Sequence, residues 1–300
     1  MSDINTYADE TAIAGLGSAI NGDLVLNQAD SSLYLCTNAD TTGIARWKKF
    51  ANDSEVGPTL ENRWGASFDG TSDYIDCGAV SDLNSASTFS ISAWYKKSSA
   101  GAGGLIIGAG SLSGERVYIE HFSNNKIYVG YNSTFASVSS IADTDWHNVV
   151  YVRDSGTHKL YLDGSDMSLG GTPASTTGSS AGNNFYIGRL SGYGSQFGGL
   201  IDEAAFFNTV LSAPDISKMY NGTAPNGKPT DLTLASSYDT DRSSNLLRYY
   251  RMGDDSNDSA TSGGSIATIT DSSGNGNHAT QSDVTSQPTF SDLTGETIYS

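Results

Sequence analysis

The chain has 300 residues, with 33 acidic and 16 basic side chains and a net charge of −17, yet only 16% of its residues are charged. Ordinary globular domains carry about 25% charged residues. The low charge argues against a helical bundle, and the acidity argues against a basic nucleic-acid surface or docking on anionic lipid. The length allows one or two domains and a core that needs no staples. Seven of the acids are Glu and the rest Asp. Asp favours turns and caps, and with 34 Gly and 16 Tyr this describes a strand-and-turn protein.

The polar N-terminus, MSDINTYADE, reads as neither signal peptide nor anchor, and no run approaches the roughly 18 apolar residues of a membrane span. Tyr7–Ile20 predicts a short helix, stopped by Asn21-Gly22-Asp23. Leu24–Leu26, Ser32–Cys36 and Ala45–Phe50 predict three short strands separated by turn-rich spacers. Residues 1–52 therefore read as a small β module that buries little alone and needs a partner, and residues 53–62 as a linker. Cys36 and Cys77 show no metal spacing and read as small buried hydrophobes.

From Arg63 onward, strands alternate with turns, as in a sandwich or barrel. Phe89, Ile91 and Ala93 alternate on one face of Thr88–Tyr95. Arg116–Phe122 and Lys126–Tyr131 flank Asn124-Asn125, a hairpin turn because Asn tolerates positive φ. Trp146–Arg153 and His158–Leu162 flank Asp154-Ser155-Gly156, a second hairpin. Gly101–Gly110 lacks the ending and helix of a phosphate loop and reads as a strand of small residues. Phe185–Gly188 and Leu200–Phe207 are further strands. Ser212-Ala213-Pro214-Asp215 signals a helix start with a capping box, and Asn221-Gly222 a helix stop. Later, only Leu246–Met252 predicts a strand; residues 254–276 read as a long surface loop.

Six short motifs occur in order: Trp64–Ile75 (WGASFDGTSDYI), Thr88–Tyr95 (TFSISAWY), Asp145–Val150 (DWHNVV), Lys159–Gly164 (KLYLDG), Tyr186-Ile187-Gly188 with Gly199–Ala204 (GLIDEA), and Leu211–Ile216 (LSAPDI). Together they resemble laminin-G-like domains. That resemblance implies an all-β, concanavalin-A-like jelly-roll β-sandwich over residues 63–228, followed by a loop-rich C-terminal extension over 229–300 that packs on it. The family often opens with a segment resembling Tyr250–Asp254 (YRMGD) and Asp271–His278 (DSSGNGNH). Here that segment comes last, either as a permuted strand or as the start of a truncated second copy. Residues 22–50 (GDLVLNQADSSLYLCTN…ARWKKF) are similar to N-terminal modules in structural proteins of tailed phages.

These resemblances imply a non-enzymatic virion structural protein, a head decoration, knob or tail-fibre component on the particle surface. Its partners are then other virion proteins, further copies of itself as a homo-oligomer, and cell-surface polysaccharide, with no nucleic acid and no membrane. The alternative is a stand-alone glycan-binding, lectin-like protein. A glycoside hydrolase is the weakest reading: Glu115 and Glu120 face opposite ways on a strand, as do Asp202 and Glu203, and no E-x-D-x-(x)-E run occurs. His147 reads as a surface or rim residue, and His278 as locally bonded. For sugar stacking the candidates are Tyr131, Phe135, Tyr193 and Phe197, in or beside Gly/Ser-rich loops; the competing reading has them covering hairpin ends or facing a neighbouring subunit. No cofactor is required, but the family resemblance implies a calcium site, for which either Asp69, Asp73 and Asp202, converging from matching motifs, or Asp271 and Asn275, with Ser273 and Asn277 in one loop, supply oxygens. Asp69 and Asp271 have a second reading, as caps of their own turns.

Overall fold

The computed structural model describes residues 62–83, 86–110, 116–131, 135–137, 139–170, 183–190, 195–221 and 227–294, together with the backbone of four strands before residue 50. The chain divides into two compact units, Met1–Thr59 and Leu60–Ser300. In the first, β1 (Asn5–Tyr7), β2 (Leu24–Asn27), β3 (Leu33–Ala39) and β4 (Ala45–Lys49) form one sheet in that order. The first pair is parallel and the other two antiparallel. β2–β4 are the three predicted strands; the helix expected over 7–20 falls, past Tyr7, outside the described residues.

The second unit is a sandwich of two antiparallel sheets. One has nine strands: β6 (Ile75–Ala79), β8 (Gly104–Gly110), β9 (Arg116–His121), β10 (Ile127–Tyr131), β11 (Phe135–Ser137), β15 (Leu169–Gly170), β16 (Asn184–Ile187), β19 (Thr268–Ile269) and β20 (Ala279–Thr280). The other has eight: β5 (Trp64–Asp69), β7 (Thr88–Lys97), β12 (Trp146–Asp154), β13 (Thr157–Leu162), β14 (Ser165–Met167), β17 (Gly198–Phe207), β18 (Leu246–Tyr250) and β21 (Thr289–Asp292). Local chemistry sets the turns. Asn125 takes φ +62 between β9 and β10, and Ser155 and Gly156 take φ +47 and +95 between β12 and β13.

Period-two alternation builds the core. Phe89, Ile91, Ala93 and Tyr95 of β7 point between the sheets with Tyr151, Phe185, Phe206 and Cys77. Phe185 and Phe206 meet edge to face across the sheets, with centroids 5.1 Å apart. The opposite face of the eight-stranded sheet is also covered. Val150, Val152, Ala205 and Phe207 pack under α1 (Ala213–Tyr220) and under Leu232 and Tyr238. Trp94 is buried in this outer layer rather than between the sheets, stacked on Tyr220 at 5.6 Å. The helix begins as its sequence demands: Ser212 Oγ accepts from the Asp215 N–H at 3.2 Å, and Asp215 Oδ2 accepts from the Ser212 N–H at 3.0 Å.

The C-terminal segment is woven into both sheets. β18 pairs with β17, β21 with β5, and β20 with β6. Residues 254–276, expected as a surface loop, hold β19 and the buried anchors Ile266 and Ile269. Asp side chains tie the intervening chain. Asp254 accepts the N–H groups of Arg63 and Trp64 at 3.0 Å, and Asp258 accepts the N–H and hydroxyl of Thr270 at 2.9 and 2.6 Å.

Candidate functional site

A groove of ≈ 360 Å³ lies between the end of β6 and β18. That volume falls within the roughly 300–1,000 Å³ of small-molecule sites. Its lining is predominantly polar: Ser81, Asp82, Ser244, Asn275 and Asn277 surround it, beside Val80, Leu246 and Leu247. Arg248 also lines it and spans the sheets, donating from Nη2 to the Ala79 carbonyl at 2.7 Å. Asp82, Asn275 and Asn277 are exposed.

The rim is shaped by the Asp271–His278 loop. The buried Asp271 carboxylate accepts the N–H groups of Tyr249, Ser273 and Asn277 at 3.0, 3.0 and 2.9 Å. The Asn275 amide donates to the Leu246 and Leu247 carbonyls at 2.9 and 3.1 Å, holding the loop tip against β18. His278 bonds locally, its Nδ1 accepting from the Asp271 N–H at 3.1 Å.

The first candidate calcium group, Asp69, Asp73 and Asp202, does not converge. Asp69 accepts the N–H groups of Thr71, Ser72 and Asp73 at 2.8, 2.8 and 3.1 Å, as a cap of its own turn does. Burial pushes its carboxyl upward, but these bonds outweigh it and hold the group well below the usual carboxylate range. Asp73 accepts the Asp69 N–H at 3.0 Å, and burial raises its pKa. Asp202 is fully buried elsewhere. The β17–β5 register sets Gly198 opposite Asp69, which leaves Asp202 four residues, roughly 13 Å, along the strand. Its carboxylate takes the Asn62 amide at 3.1 Å and the Glu203 N–H at 2.8 Å. Burial, then Glu203 and Asp254, raise its pKa. Among the described residues no three His, Cys, Asp or Glu side chains gather in metal-holding geometry.

The aromatic candidates fare unevenly. Tyr193 and the side chains of Tyr131 and Phe135 lie outside the described residues. Phe197 is not a stacking platform. It is fully buried, edge to face with Phe68 and Tyr95, and its N–H donates to the Gly188 carbonyl at 2.9 Å. That bond and the start of β17 just after it turn the ring inward. His147 is buried as well, not at the rim. Its Nδ1 meets Asp163 at 2.8 Å and its Nε2 meets Asp143 at 2.7 Å. Burial disfavours its charge, but the two carboxylates outweigh that and raise its pKa.

Sequence reasoning missed Asp82 and Ser81, and also Tyr74 and Tyr186 on the outer face of the nine-stranded sheet. The signal for the tyrosines was available: each adjoins a core isoleucine, Ile75 or Ile187, so alternation turns it outward.

The family described as the concanavalin A-like lectin/glucanases superfamily matches residues 69–217. A candidate carbohydrate-binding protein from Bacteroides ovatus is 15% identical, with a TM-score of 0.58 over 94% of this chain and 72% of that one. Residues 69–217 resemble a laminin-G-like domain, and the sandwich has the concanavalin-A-like jelly-roll fold. A more distant likeness is domain 4 of an extracellular arabinanase from Geobacillus stearothermophilus, solved with arabinotriose. It is 19% identical, with a TM-score of 0.42 over 52% of this chain and 75% of that one. At these identities the structures speak for the fold alone. No curated protein matches the sequence. The laminin-G-like match ends within α1, so β18 and the Asp271–His278 loop, which form much of the groove, lie beyond it.

Proposed function

We propose that the chain is a carbohydrate-binding protein that holds a saccharide in the groove between β6 and β18. The observation that carries this reading is the lining: a predominantly polar set of carboxylate, amide, hydroxyl and guanidinium groups beside Val80, Leu246 and Leu247, groups that suit a sugar's ring of hydroxyls. Binding is favoured over hydrolysis because Asp82 is the sole carboxylate among the groove's lining residues, whereas glycoside hydrolysis generally needs two. Calorimetric titration with a panel of neutral and acidic oligosaccharides tests it. The expected result is saturable binding by the wild type that Asp82→Ala with Asn277→Ala weakens at least about tenfold, the loss of one or two good hydrogen bonds. Binding to no saccharide, or equal binding by the double variant, overturns it.

The virion-surface reading is a separate proposal. It is supported by the phage-like motif of residues 22–50 and by the compactness of Met1–Thr59 as a unit of its own. Finding the protein in purified particles tests it; absence from them overturns it.

A further inference from the structure

A second cluster stands away from the groove, at the other end of β6. Tyr74 and Tyr186 meet edge to face with centroids 5.7 Å apart. The Arg189 guanidinium lies over both rings, with Cζ 3.2 Å from the Tyr74 centroid and 4.9 Å from that of Tyr186. All three side chains are half-buried. Gly188 fixes the approach: its φ is +88°, and a Cβ there would stand 2.6 Å from the Phe68 ring. Arg189 is thus held by stacking on both rings and by a hydrogen bond to Tyr186. Its Nε is buried without a hydrogen-bond partner, and no ion pair engages it among the described residues.

The neighbouring carboxylates are already engaged. Asp76 takes the Asn184 amide at 3.0 and 2.9 Å and the Gly78 N–H at 2.7 Å. Asp283 takes the N–H and hydroxyl of Thr285 at 3.0 and 2.8 Å. Beside the cluster, Val284 is 76% exposed on the loop whose Ser286 carbonyl accepts the Tyr74 N–H at 3.1 Å. A planar guanidinium stacked on aromatic rings is already ordered, so it loses little freedom on binding, and its fork matches a carboxylate. In a chain of net charge −17, this arginine lies within electrostatic reach of Asp283 but forms no ion pair with it among the described residues, which leaves its fork open to an acidic ligand.

We propose that Tyr74, Tyr186 and Arg189 form a second saccharide subsite that reads the carboxylate of an acidic, uronic-type sugar, with Tyr186 and Val284 offering apolar surface to its ring. This rests on the carbohydrate-binding reading above. Tyr74 and Val80 bracket β6, and six residues of strand span roughly 20 Å, so a sugar seated in the groove does not itself touch Arg189.

The test compares an oligouronide with its carboxyl-reduced, neutral counterpart in calorimetric titrations. The wild type is expected to bind the uronide at least about tenfold more tightly, the worth of a charge-assisted hydrogen bond. Arg189→Gln is expected to abolish that preference, and Tyr186→Ala, which removes part of the stack, to reduce it. Asp82→Ala lowers both affinities and leaves their ratio unchanged. The preference ratio is read within each folded variant, so a change in stability does not mimic the effect. Equal affinities for the two ligands in the wild type, or a preference that survives Arg189→Gln, overturn this subsite and leave the carbohydrate reading standing. Failure of both ligands to bind overturns the two together.

Discussion

The two sheets of the sandwich obey the same alternation, yet their outer faces end differently. The outer face of the eight-stranded sheet disappears under α1, Leu232 and Tyr238, a second hydrophobic layer. The outer face of the nine-stranded sheet leaves Tyr74, Asp76, Asn184 and Tyr186 partly open. A covered face is part of the fold, and an open face bearing tyrosine, amide and carboxylate is available to a ligand. The contrast sets a second hydrophobic layer on one side of the molecule against a smaller buried cluster, Leu105, Tyr118 and Leu190, and partly open polar and aromatic groups on the other.

The comparison breaks most easily at the C-terminal segment. Truncation after Asn245 removes β18, β20 and β21, strips an edge from both sheets and frees the Arg63 and Trp64 N–H groups that Asp254 holds. The expected outcome in circular dichroism is loss of cooperative thermal unfolding; a sharp transition in the truncated chain counts against the woven architecture. Next, Phe206→Ala in the core should cost about 3–5 kcal/mol, the usual penalty for a buried aromatic, and Tyr186→Ala on the open face about 1 kcal/mol or less. Denaturant titrations giving the two a similar cost erase the distinction between the faces. Ser212→Ala removes one half of the capping box at α1 and should cost about 1 kcal/mol.

The covered side also predicts a pH signature. Burial raises the Glu203 carboxyl from 4.5 to about 7, against the pull of Arg251 and of the Tyr249 hydroxyl that donates to it. The folded state therefore holds this proton more tightly than the unfolded chain does. Its contribution to stability is complete below the unfolded value and is lost as pH rises through the folded one. Asp254, raised by burial to about 6, acts with the same sign. Glu203→Gln should accordingly gain stability relative to the wild type between pH 4.5 and 7; a constant difference across that window shows that Glu203 ionises freely in the fold.

What the sequence makes legible is what short stretches decide. The β7 alternation, Asn125 in its turn and the Ser212–Asp215 box each carry their signal within a few residues, and each forms as read. Phe197 misleads because its Gly- and Ser-rich surroundings look like a loop, while the hydrogen bond that turns it inward comes from Gly188. Residues 254–276 mislead for a related reason. Their Asp and Ser side chains serve backbone groups of distant strands, as in the 190-residue separation of Asp254 from Trp64. The groove was least legible of all: it joins residues 80–82, 244–248 and 275–277, and no local window contains it.

The central claim is that ligand meets this protein at the groove and along the open face, not over α1. The most direct measurement is chemical-shift mapping of the isotope-labelled chain during titration with an oligosaccharide that it binds. The account predicts saturable shifts at Ser81, Asp82, Asn275 and Asn277, with Met219, Tyr238 and the rest of the α1 layer silent. Shifts centred on α1, or none at the groove at saturation, contradict it.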